Sequence, residues 1–398
     1  MAAARGVSQA IGPDIRPPTL GFCGFVEDVD KEIDVFSWVI NNAPSFPTAS
    51  CSESGGRDSR STSRATGLLR ETWNPDECGP TAGSFYFARR WCLDRLPEAH
   101  HNRGMKTTEV AARLDSYFRL DEYTPGDFAE IEDFWREAGV PFERYVTPRF
   151  AERHNGLMLD SAPEVARAFT LVFPSEEVLA EVEQRAGGEP ALIFTHHPMD
   201  FETSGRGLMP ISEDWLRRLK EARISFYSAH APLDCHERVS TSRALARACG
   251  VPAEETFAGY MGGHAGVYGR IGPTPLADFV ERVKRACGVE CADLKEYSFV
   301  VERVAVCAGG AAFPDLMREA IDAGCDTYVT GDFRVRHGGP WAEEHRPGFD
   351  AFVAGAPINL IGGSHAGTEG LVLKRDMIEW FGRVGLAAEF VPQTDLWR

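Results

Sequence analysis

The sequence predicts an α/β fold built as two facing halves, and three observations carry that expectation. From Met105 onward, short apolar runs of strand character alternate with stretches whose apolar residues recur at helical spacing. Glycines, single or paired, close most of these elements. The histidines and acids with ligand chemistry fall directly after the strand-like runs, where open α/β sheets gather their ligands.

Taken in order, Val110, Leu114, Tyr117 and Phe118 form one apolar stripe, so the first element is a helix. Ala168–Phe173 reads as a strand, and the helix after it runs from Ser175 to about Arg185, closed by Gly187-Gly188. Ala191–Thr195 is the next strand and leads into His196-His197-Pro198. Ile224–Ala229 follows, leading into His230-Ala231-Pro232-Leu233-Asp234 and a helix from about Ser240 to Cys249, stopped by Gly250. Further on, Arg303–Cys307 precedes Ala308-Gly309-Gly310 and a helix ended by Gly324, and Asp326–Thr330 precedes Gly331-Asp332. The last strand, Ile358–Ile361, precedes Gly362-Gly363 and a helix reaching about Gly382.

Residues 1–104 read differently. Ser50–Arg64 is rich in Ser, Arg and Gly with almost nothing to bury, and the apolar clusters Val35–Ile40 and Phe85–Leu96 stand isolated. Such a segment cannot offset its ordering entropy, so 1–104 is expected as a poorly ordered extension and 105–398 as the folded domain, with Met105 a candidate start. A small accessory domain is the alternative. A formal net charge of −17 argues against a duplex nucleic-acid binder and against docking on an anionic membrane. No apolar run nears the ~20 residues of a membrane span, and no signal peptide is visible at Met1-Ala2-Ala3-Ala4-Arg5. The 10 cysteines include no C-x-x-C pair and read as reduced thiols. A cytoplasmic protein is expected.

Neighbouring histidines on an extended backbone point in diverging directions, which suits two adjacent metals better than one. His365 and Glu369, four residues apart at a helix start, face the same way. The candidate metal ligands are therefore His196, His197, Asp234, His365 and Glu369, around which the two halves would close. Imidazole with carboxylate suits Zn, Fe, Mn, Co or Ni. Two divalent ions there would leave open positions for a metal-bound hydroxide. Plainer readings stand beside this: a surface His pair, a helix-capping Asp234, glycines that only turn the chain. His230 is a candidate for orienting Asp234, Asp332 and His337 are candidate acid/base groups, and His264 lies in a flexible, Gly-rich loop, 262–266, that could touch substrate.

These pieces, in this order, resemble the Nif-three-like dinuclear-metal hexameric proteins, homologues of GTP cyclohydrolase I type 2. The matching segments are Asn155-Gly156-Leu157, His196-His197-Pro198, His230 to Asp234, Gly269-Arg270-Ile271-Gly272, Val306 to Gly310, Tyr328 to Asp332 and His365 to Glu369, so the likeness covers roughly 150–398. The resemblance implies one ion on His197, Asp234 and Glu369, another on His196 and His365 with Glu369 bridging, and a toroidal homohexamer. It makes metal-dependent hydrolysis of a small nitrogen-heterocyclic or phosphorylated substrate the expected activity. A non-enzymatic metal-delivery or scaffold protein is the alternative. Two departures bear on the substrate: Asp332 stands where relatives carry Glu, and Phe173-Pro174 stands where an acid often follows the strand. Only 72 positions separate Asp234 from Cys307, too few for the extra domain some relatives insert.

A chain beginning at Met105 is expected to fold and bind metal like the full-length protein, and limited proteolysis should cut first between about residues 45 and 104. A shortened protein that precipitates would assign the N-terminal hundred residues to the core.

Overall fold

Four of the predicted strands are buried at every position, which is why they read as unbroken apolar runs rather than as alternating ones. The computed structural model describes residues 104–123, 131–202, 207–338, 340–394 and 396–397. The expectation for the N-terminal extension lies, Gly104 apart, outside the described residues. The fold is mixed α/β, as predicted, and no helix among the described residues is long and apolar enough to cross a membrane.

The first sheet contains β1 (Gly156–Leu159), β2 (Arg167–Leu171), β3 (Ala191–Thr195), β4 (Ile224–Ser228) and β11 (Ala387–Phe390). Its spatial order is β11-β2-β3-β4-β1, parallel except for β1. The second contains β5 (Glu255–Tyr260), β6 (Gly263–Pro275), β7 (Asp293–Lys295), β8 (Val300–Val306), β9 (Thr327–Thr330) and β10 (Asn359–Gly362). There the order is β7-β10-β9-β8-β6-β5, with β8, β9 and β10 parallel.

Parallel neighbours need crossovers, and helices supply them. Between β2 and β3 lies α2 (Glu176–Ala186): Ser175 caps it by accepting from the Val178 amide, Glu176 and Glu177 sit on its positive end, and Gly187 closes it with φ +59°. Its buried stripe is Val178, Leu179, Val182 and Ala186. Between β3 and β4, α3 (Glu213–Glu221) is capped by Ser212 and buries Trp215, Leu216 and Leu219. Both lie in one apolar cluster with the outer face of the first sheet.

A second cluster joins the two halves. It unites α1 (Thr107–Phe118), Phe194, Tyr227, strand residues Val304, Val306, Val329 and Ile361 of the second sheet, and Val372 to Phe381 of the C-terminal helix. Phe194 is its hub, with ring centroids 5.8 Å from Phe118 and Tyr227 and 5.9 Å from Phe381.

The single helix expected after Gly363 is interrupted. It runs as α8 (His365–Val372), one π turn (Leu373–Met377) and a final α segment, Ile378–Val384. Thr170 Oγ1 of β2 donates to the Leu373 carbonyl at 3.0 Å, drawing that oxygen out of the helical ladder. The hairpin of β5 and β6 is a larger difference. The Gly-rich stretch read as a flexible loop is the start of β6, with His264 paired across from Gly259 and exposed.

Phe194→Ala is expected to cost about 3–5 kcal/mol, since it removes a fully buried ring from the seam between the halves. Urea unfolding of the variant measures it; a loss under about 1 kcal/mol would mean that the seam is not close-packed.

Candidate metal centre

The carboxyl ends of β3, β4 and β10 converge, and each carries one part of the constellation. Past β3, the amides of His196 and His197 donate to Leu171 and Val172 oxygens, so both residues continue the extended backbone. Their rings consequently diverge, with centroids 4.5 Å apart at 70°. His196 Nδ1 lies 3.0 Å from the Ala229 carbonyl, which can only accept; Nδ1 therefore carries a proton, and Nε2 is the nitrogen that faces the site. That Nε2 is fully buried and has no hydrogen-bond partner. It stands 3.5 Å from Asp234 Oδ1 and 3.6 Å from Glu369 Oε1.

Past β4, Asp234 ends a helical turn, Ala231–Asp234, and its Oδ1 accepts a 2.5 Å hydrogen bond from Thr241 Oγ1. His230 opens that turn. Its amide donates to Asn155 Oδ1 at 2.7 Å, its Nδ1 is 2.9 Å from the Tyr260 hydroxyl, and its ring stacks on His196 at 4.6 Å. One ring nitrogen from each of His196, His197 and His230 fall within 4.8 Å of one another, which places His230 among the candidate ligands as well as beside Asp234.

Past β10, α8 delivers His365 and Glu369 on one face. Glu369 Oε2 accepts from His197 Nε2 at 2.9 Å, and Oε1 lies 3.1 Å from His365 Nε2. The helix start is held tightly: Ser364 Oγ accepts from the Gly367 amide at 2.9 Å while its backbone sits at φ +73°, ψ 146°, a strained region for a side-chain-bearing residue. Thr368 Oγ1 accepts from the Gly309 amide and donates back to the helix start. Gly309, at φ +78°, admits no side chain, because a Cβ there would lie 2.1 Å from Glu369 Oε1. Behind the ligands, Phe173 stacks on His197 at 4.2 Å and meets His365 edge-on at 5.0 Å. Phe173 is thus a wall against the imidazoles.

The donor set fits a cation. Two donors that share an ion at about 2.0–2.2 Å stand roughly 3–3.5 Å apart, close to the spacings around Glu369 and His196. Electrostatics agree. Burial opposes charge on Glu369, yet His365, His197 and His196 together hold its carboxyl well below the ordinary range. Burial also opposes charge on His196, but Asp234 and Glu369 outweigh it and raise its pKa to about 9. Without metal, a proton on His196 stands where a cation belongs.

Asp332 and His337 line the same cavity, of about 70 Å³, as His197, His230, His365 and Glu369. Burial pushes the Asp332 carboxyl upward against the pull of His365 and Arg336, which hydrogen-bonds it. Burial lowers His337, whose Nδ1 lies 3.0 Å from the Gly338 carbonyl. His264 is not among the residues lining this cavity. Thr241, Tyr260 and Arg336 went unread in the sequence. Thr241 beside a capping Ser240 offered a weak signal; Tyr260 offered none, since only the hairpin brings it to His230.

Residues 142–374 match the family described as Duf34/NIF3 (NGG1p interacting factor 3). A Deinococcus radiodurans protein named GTP cyclohydrolase 1 type 2 homolog is 28% identical over 219 residues, covering 54% of this chain and 75% of its own. An Archaeoglobus fulgidus protein of the same name is 27% identical over 183 residues, covering 45% and 69%. Among solved structures, protein ybgI, described as of unknown function, aligns with TM-score 0.51 and 20% identity over 73% of this chain and 100% of that one. Reduced HcgD from Methanocaldococcus jannaschii aligns with TM-score 0.51 and 19% identity over 72% and 98%. At those identities the structural likeness concerns the fold alone.

Because a proton on His196 competes with any cation, Zn²⁺ or Co²⁺ uptake should tighten as pH rises toward about 9, by up to about tenfold per unit for one displaced proton. Titration with Co²⁺ at several pH values measures this. Binding that ignores pH over that range would remove His196 from the ligands.

Proposed function

This chain belongs to the Duf34/NIF3 family, and from that premise we propose that it is a dinuclear divalent-metal protein that hydrolyses a small substrate. The observation that carries the reading is His196 Nε2, buried without a hydrogen-bond partner within 3.6 Å of two carboxylate oxygens. Between two carboxylates that nitrogen holds a proton when no metal is there, and a coordinated cation would take the proton's place. We assign His196, His197, Asp234, His365 and Glu369 as the ligands, with His230 adjoining them. Glu369 would be the residue to hold both ions, since its two oxygens face different imidazoles.

Bound there, Zn, Fe, Mn, Co or Ni would supply Lewis acidity for a hydrolytic step. The chain's own residues do the rest. Asp234 and Glu369 bring two negative charges against four positive ones, keeping the site electron-poor. Thr241 fixes the direction of Asp234, and Ala229 fixes the tautomer of His196. Phe173 keeps water from the rear of the imidazoles. Asp332, whose carboxyl burial raises, and His337, which burial keeps neutral, are the groups on the cavity wall able to give or take a proton.

Metal delivery is the competing role. A carrier needs ligands that a partner can reach, whereas here His196, His197 and Glu369 are almost wholly buried behind a cavity. We therefore favour catalysis on a small molecule, in a cytoplasmic protein assembled from several copies.

Glu369→Ala is expected to abolish retention of both ions, measured by metal analysis after dialysis. Wild-type occupancy in that variant would overturn the assignment. Metal-loaded wild type should hydrolyse members of a panel of phosphoesters, amides and purine-ring compounds, lose activity on chelation and regain part of it with Zn²⁺. Asp332→Asn should lower turnover by roughly 10²-fold or more while keeping its metal. Full metal with no turnover on any member of the panel would return the case to delivery.

A further inference from the structure

The cavity beside the ligands has an uneven wall. Beyond the imidazoles and carboxylates, Phe201, Leu208, Phe313, Val335 and Phe349 line it. Phe201 lies 5.4 Å from the His365 ring and 6.0 Å from His337, while Phe313 and Phe349 meet at 6.2 Å. Such a wall strips water without replacing its hydrogen bonds, so it penalises a polyhydroxylated body and rewards a flat aromatic one.

Among the described residues, the two arginines that line the cavity are already engaged. Arg336 hydrogen-bonds both Asp332 and Asp293 and lies over the Trp397 ring. Arg334, the other arginine on the wall, is 3.8 Å from the Asp350 carboxylate and lies over Phe333. Several backbone amides of the kind that elsewhere cradle phosphates at strand ends and helix starts are spent internally. Ala308 donates to Ser242 Oγ and Gly309 to Thr368 Oγ1. Gly331 and Asp332 both donate to the Gly309 carbonyl, Ser364 donates to Gly331, and Gly367 donates to Ser364 Oγ. A net charge of −17 adds a field that disfavours polyanions.

Resting on the hydrolase reading above, we infer that the substrate is a flat, largely uncharged aromatic or heteroaromatic body with one polar or anionic group turned toward the metal ligands, and not a polyphosphate nucleotide. The single group meets the ions; the ring fills the space among Phe201, Phe313 and Phe349. Among the described residues, a triphosphate would find no second cationic cradle.

The test uses the full chain loaded with Zn²⁺ and isothermal titration with two probe pairs. Phenyl phosphate and glycerol 3-phosphate share a headgroup and differ in body; phenyl phosphate should bind about tenfold or more tighter, as expected for burying one ring. GMP and GTP share a base and differ in phosphate count; their affinities should agree within about threefold. Phe349→Ala, at a half-buried position, should retain zinc and lose most of the preference for phenyl phosphate. Equal binding of the first pair, no binding of either, or GTP exceeding GMP by about tenfold overturns the inference. Zinc kept by the wild type alongside any of these sinks only the substrate class, whereas zinc lost on dialysis sinks the metal reading and this inference together.

Discussion

A carboxylate is buried only at great cost unless charges and hydrogen bonds meet it, and Glu369, 3% exposed, is met by His196, His197 and His365. That meeting requires the two sheets to aim their parallel strands at one point. His196 and His197 come from the end of β3 in the first sheet, and Glu369 from the helix after β10 in the second. The Phe194 seam holds those ends in register, and Gly309 leaves the space the carboxylate fills. Remove Glu369, and three imbedded imidazoles face one another with nothing between them.

Much of this was legible in the sequence because the same physics wrote both the pattern and the fold. Strands buried on both faces must be apolar throughout, so β3, β4, β9 and β10 announced themselves, and the polar residues just beyond them stood out by contrast. The capping serines at 175 and 240 marked their helices in the same way. Legibility failed where local composition and tertiary role part company. The β5–β6 hairpin carries Gly259, Gly262, Gly263, Gly266, Gly269 and Gly272, and reads as a loop. Those glycines include positions with no room for more: a Cβ on Gly266 would strike the Phe257 ring, and one on Gly269 the Pro252 carbonyl. The π turn was equally invisible, since its cause is Thr170, some two hundred residues earlier.

The curated relatives share a name that includes a nucleotide. Names of that kind travel with a fold, while chemistry resides in the wall of the site. Here the wall includes Phe173, which lies against two candidate ligands, and Asp332, which is tied to Arg336. Both residues shape what surrounds the candidate ligands without belonging to the donor set. A family can keep one centre and diversify around it by this route.

The separation of the ligands along the chain has a temporal consequence. His197 and Glu369 are 172 residues apart and touch only through the completed second half. Contacts of such range form late, after the intervening loops have closed. A nascent chain that has already displayed His196, His197, His230 and Asp234 still lacks the Glu369 carboxylate, which follows His197 by 172 residues. On the metal reading proposed above, cation capture would be a finishing event, and because an ion that binds only the native state stabilises it by mass action, the centre would act as a clasp that locks the two halves after they have met.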